Sequence, residues 1–172
     1  MKPQKIILAG VLLLGALALV STWALVAAAA GQPITLAVSP TGTYDHFGVA
    51  TVSGSVQCAS TSTVYVSGNL QESVGRKNSV VGSFAINFSC EPGAPVAWSA
   101  PVAPTAGKFG SGSVVLTNGA YTAWFRIAND GSYPGPEYAN CGVLVSDPNT
   151  TYWLCRNDGT FGPQTIRLTN DK

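Results

Sequence analysis

From Val49 to Cys58 the chain reads VATVSGSVQC. Ala50, Val52, Gly54, Val56 and Cys58 fall on one parity, and Thr51, Ser53, Ser55 and Gln57 on the other. Successive side chains of a strand point to opposite faces, so this alternation predicts a strand with one face in a core and the other in water. The same even parity recurs in VYVSGNL through Val64, Val66, Gly68 and Leu70. It returns in GSFAINFSC through Gly82, Phe84, Ile86, Phe88 and Cys90.

Working outward, further strands are expected at Ile34–Ser39, Val96–Val102 and Ser113–Thr117, and in AYTAWFRIA after Asn118-Gly119. Others are expected at Cys141–Ser146, Thr151–Arg156 and Thr165–Thr169. Val96, Trp98, Ala100 and Val102 share a face, which makes Trp98 a core residue. Nine or ten short strands separated by Gly, Pro, Asn and Asp, with no alternating helices, predict an all-β antiparallel sandwich or barrel. No internal boundary divides residues 31–172, about one domain's length.

The first thirty residues read as an address. Lys2 and Lys5 precede an apolar run from Ile6 to Val20, and Ala28-Ala29-Ala30 supplies the small residues a signal peptidase needs. Residues 1–30 are therefore expected to be a secretory signal helix, with residues 31–172 forming the exported domain. The alternative is an uncleaved anchor, because the stretch from Ile6 to Ala30 carries no charge and a bilayer needs about 20 residues. Without Lys2 and Lys5 the chain has seven basic residues against eight acidic ones. That balance gives no electrostatic reason to bind nucleic acid or anionic lipid. Membrane contact is expected only through an uncleaved N-terminus.

Four cysteines behind an export signal, Cys58, Cys90, Cys141 and Cys155, imply two disulfides. Their wide spacing does not suit a zinc site. Cys58 with Cys90 and Cys141 with Cys155 is the favoured pairing, on the expectation that each bridge joins neighbouring strands. Cys58 and Cys90 both lie on the inward parity, as a buried bridge requires.

Several stretches together carry a resemblance. They are SPTGT at Ser39–Thr43, VSGSVQC ending at Cys58, VYVSGNLQE at Val64–Glu72, FSCEPG around Cys90, Trp98, and GKFGSG at Gly107–Gly112. Over Ile34 to Asn118 the chain resembles a family of uncharacterised bacterial secreted domains with an immunoglobulin-like sandwich. The resemblance implies that fold and export; the family has no assigned activity, so no functional residue is carried over.

Two triplets raise the question of chemistry, Asn129-Asp130-Gly131 and Asn157-Asp158-Gly159. Both read as turns, since these residues tolerate positive φ and too few carboxylates accompany them for a calcium loop. His46 beside Asp45 lacks an adjacent activated nucleophile and reads as a turn residue. No catalytic residue, metal ligand or cofactor motif is nominated. Trp124, Tyr133, Tyr138, Tyr152, Trp153 and Phe161 concentrate in the last third of the chain. Of these, Trp124, Tyr133, Tyr138 and Trp153 are the candidate binding residues, because exposed rigid rings suit sugar faces or protein anchors; the alternative is that the cluster covers a small secondary core beside a Cys141–Cys155 bridge. A binding face would expose Trp124, Tyr133 and Trp153 together. The reading is a secreted, non-catalytic binding or structural module for a protein or glycan. A hydrolase with unassigned acid–base groups and a small-molecule carrier are the alternatives.

Overall fold

The computed structural model describes residues 34–75, 78–129, 140–147 and 150–171. The expected signal segment lies outside them. The described chain is all-β and contains no helix. Its strands are β1 (Ile34–Val38), β2 (Thr41–Tyr44), β3 (Ala50–Cys58), β4 (Ser62–Val74) and β5 (Asn78–Cys90). They continue with β6 (Val96–Val102), β7 (Gly112–Ala128), β8 (Cys141–Asp147), β9 (Thr150–Phe161) and β10 (Gln164–Asn170).

The strands form one open, mixed sheet in the order β1-β3-β2-β10-β7-β4-β5, with β6 on β3, β9 on β7 and β8 on β9. All pairs are antiparallel except β2 with β10, which corrects the expectation of a wholly antiparallel sheet. The departure begins at Pro40. Ser39 still donates its N–H to the Ser53 carbonyl of β3 at 2.8 Å. Thr41, whose N–H would be next on that ladder, instead donates it to the Ser39 hydroxyl at 3.2 Å. The Pro40 carbonyl accepts from Arg167 N–H at 2.9 Å, and β2 then runs alongside β10.

The period-two alternation fills the core as expected. Ala50, Val52, Val56 and Cys58 of β3 are buried, as are Val64, Val66 and Leu70 of β4, and Phe84 and Cys90 of β5. They join Trp98, Ala100 and Val102 of β6, Val114 and Leu116 of β7, and Ile166 and Leu168 of β10 in one cluster. Each fully buried aliphatic side chain contributes about 1.5–3 kcal/mol. Trp98 stacks on Phe84 with ring centroids 6.3 Å apart. Gly54 gives the indole room, since a Cβ there would lie 2.6 Å from the ring.

Several strands are longer than expected: β4 and β5 have 13 residues each, β9 has 12 and β7 has 17. The break expected at Asn118-Gly119 is instead a bulge within β7. Asn118 takes φ +50°, and the register with β4 slips between Ser67 and Asn69. The extra residue flips the inward parity of β7 from Val114 and Leu116 to Ala123 and Phe125. It also marks a change of partner, from β10 below the bulge to β9 above it.

Both disulfides form as paired from the sequence. Cys58 and Cys90 end β3 and β5, which are not hydrogen-bonded neighbours, so this bridge ties distant parts of the sheet path instead of adjacent strands. Cys141 and Cys155 are direct cross-strand partners with Cα atoms 4.0 Å apart. At the far end of the core, the connection from β6 to β7 inserts Phe109, fully buried. Gly110 N–H donates to the Glu72 carboxylate at 2.9 Å, which satisfies the one buried acid among the described residues. The loop is therefore anchored at two points.

Candidate functional site

Outward parity places a polar surface on β5, β4, β7 and β9. Residues directly opposed across antiparallel strands share a face. One row runs Asn87, Tyr65, Thr122, Asp158, and the next runs Ser89, Thr63, Trp124, Arg156. Tyr65 and Trp124 thus stand on adjacent strands, offset by two residues. That diagonal separation is about 7–8 Å between Cα atoms, within reach of aromatic side chains. Both rings are open to solvent, Tyr65 at 46% and Trp124 at 37%.

A charged pair holds the β9 side of this face. Arg156 Nε lies 2.8 Å from the Asp158 carboxylate, and Thr122 Oγ1 lies 2.6 Å from the same group. The Thr122 hydrogen bond, and then the bond and charge of Arg156, hold the Asp158 carboxyl below its ordinary range. The Arg156 guanidinium also sits 5.5 Å from the Trp124 ring centroid. Further along, Arg126 lies 4.4 Å over the Tyr152 ring. Trp124, Asn140, Gly142, Leu154, Arg156 and Asp158 line a shallow depression of about 330 Å³.

The second Asn-Asp-Gly triplet is therefore not a turn. Asn157, Asp158 and Gly159 lie inside β9, opposite Ala123, Thr122 and Tyr121. Turn propensity yields to cross-strand contacts: Asp158 is held by Thr122 and Arg156, and Gly159 lies under the Tyr121 ring. A Cβ at Gly159 would come within 2.3 Å of that ring. The first triplet lies largely outside the described residues, as do Tyr133 and Tyr138.

Trp153 does not join Trp124. It opposes Ile127 on the other face of β9, where it is half-buried against Phe125, Cys141 and Cys155. This corrects the expectation that the two tryptophans share one surface. Their relative facing depends on the β7–β9 register, which local periodicity does not reveal. Tyr65, Arg156 and Arg126 were not nominated from the sequence. Tyr65 carried a signal there, an aromatic on the polar parity of a well-patterned strand.

The remaining motifs have structural roles. Asp45 accepts N–H bonds from Phe47 and Val49, both at 2.9 Å, and so shapes the turn between β2 and β3. His46 in that turn is exposed and lies against Phe47. Among the described residues no group of three His, Cys, Asp or Glu side chains is placed to hold a metal. Compared with protein-family models, with curated proteins and with solved structures, the chain gives no match.

Proposed function

We propose that the protein is an exported, non-catalytic binding module that contacts a protein or glycan through the outer face of β5, β4, β7 and β9. The observation that carries this reading is the pair of solvent-open rings, Tyr65 and Trp124, on adjacent strands beside the fixed Arg156–Asp158 pair. Rigid aromatics and arginine are the residue types that dominate binding energy at recognition surfaces. Two disulfides fit an oxidising compartment, and the signal-like residues 1–30 fit export into it.

The fold we assign is an immunoglobulin-like sandwich. Its support is the strand order: β10-β7-β4-β5 has the sequence of a G-F-C-C′ layer, while β1 and β6 flank β3 as A and E flank B. The β8–β9 hairpin is then an insertion between the last two strands of that scheme.

The test is binding of the labelled domain, residues 31–172, to envelopes of the cells that export it. Trp124→Ala and Tyr65→Ala are expected to lose binding, while Phe47→Ala, at an exposed ring in the turn between β2 and β3 and outside this face, retains it. Undiminished binding by Trp124→Ala would sink the reading.

A further inference from the structure

Resting on the binding-module reading above, we infer that the Tyr65–Trp124 face takes a neutral glycan chain laid obliquely across β4, β7 and β9. A sugar ring has C–H groups on its faces and hydroxyls around its rim. It is therefore matched by an aromatic ring face surrounded by planar or hydroxylic hydrogen-bonding groups. Tyr65 and Trp124 supply two such faces at diagonal spacing, so that neighbouring sugars of one chain can each stack on a ring. Around them lie Asn87, Ser89, Thr63 and Thr122. Beyond Trp124 the line enters the depression bordered by Asn140, Leu154 and Arg156. There Asp158 offers acceptor oxygens, and Arg156 retains donors beyond the Nε it commits to Asp158.

Charge and composition separate this ligand from others. A nucleic acid or polyanionic glycan needs a cationic track along its backbone. Here Arg156 is neutralised by Asp158 at 2.8 Å, Arg126 over the Tyr152 ring is a single cation and not a track, and residues 31–172 carry seven basic against eight acidic side chains. A protein partner would favour an apolar centre depleted of charged groups. Around Trp124 the face instead supplies threonine, serine, asparagine and an ion pair, with Leu154 the aliphatic side chain in the depression. The combination of open rings, surrounding hydroxyl and amide side chains and the Arg156–Asp158 ion pair selects an uncharged, polyhydroxylated chain.

The experiment uses the exported domain in native affinity gels containing neutral polysaccharides (glucans, xylans and mannans in parallel), together with the envelope assay. Retarded migration in at least one neutral polysaccharide is expected, and it should persist when salt is raised. Retardation should weaken at least about tenfold in Trp124→Ala and Tyr65→Ala and remain unchanged in Phe47→Ala. Envelope binding should be abolished by periodate, which cleaves vicinal diols, and should survive protease treatment of the envelopes. If Trp124-dependent envelope binding survives periodate but is lost after proteolysis, the glycan inference fails while the binding module stands. Retardation confined to charged polysaccharides, or none by any neutral one, also overturns the inference. If Trp124→Ala binds envelopes like the wild type, both fall together.

Discussion

The two cross-linked regions of this molecule are held in different ways. Around Cys58–Cys90, aliphatic and aromatic side chains from β1, β3–β7 and β10 form one continuous core, and the bridge ties together two strands that share no ladder. Around Cys141–Cys155, the buried set among the described residues is Phe125 and the two cysteines, with Ile127 and Trp153 packed against them. The first region would retain most of its apolar burial without sulfur. In the second, the bridge is itself much of the buried set among the described residues, as in other small units that cannot bury enough surface. The candidate binding face straddles the boundary. Tyr65 stands on the well-packed region, while Arg156 and Asp158 belong to the strand carrying the second bridge.

The comparison can be broken most directly through the cysteines. Replacing Cys58 and Cys90 by Ala should cost about 3–4 kcal/mol by loop-closure entropy, visible as a lower urea midpoint for the whole domain. Replacing Cys141 and Cys155 opens a shorter loop and should cost about 3 kcal/mol. Its signature should be local: faster amide exchange in β8, β9 and the upper half of β7, with protection in β3, β4 and β6 preserved. Equal loss of protection everywhere would show that the two regions unfold as one.

A smaller effect sharpens the contrast from the well-packed side. Glu72→Ala removes the acceptor of the Gly110 N–H and should destabilise by about 1–3 kcal/mol, with faster exchange in residues 104–111. Glu72→Gln keeps an acceptor oxygen and should lose less. Smallest is the pH response of Asp158. Its folded value lies below the ordinary one, so its contribution is fully present above the unfolded carboxylate range. That contribution is lost as pH falls below about 4, through the lowered folded value. In wild type the Trp124 and Arg156 resonances should shift across that window; in Asp158→Asn they should not.

What could be read in the chain divides along the same line. From Ala50 to Val102 the alternation is local and unbroken, so buried parity, the inward cysteines and the core position of Trp98 were all legible. The parallel pairing of β2 was not, because Pro40 signals a break without naming the next partner. In β7 the bulge at Asn118 resembled a strand end, since a residue that adopts positive φ serves either purpose. In β9 the Asn-Asp-Gly triplet carried strong turn chemistry, overridden by partners more than thirty residues away: Tyr121 over Gly159 and Thr122 on Asp158. The site shows the same limit. Trp124 was recognisable from its parity, but its neighbours Tyr65 and Arg156 arrive through inter-strand registers.

One seventeen-residue strand, β7, serves as the common spine of both regions. Excising the β8–β9 hairpin would therefore strip one flank of β7 from Gly119 to Ala128 and leave a row of unsatisfied backbone donors and acceptors. Such a bare flank is a template for self-association. The hairpin thus also acts as a sheath, and a version of the protein shortened by its removal should aggregate before it unfolds.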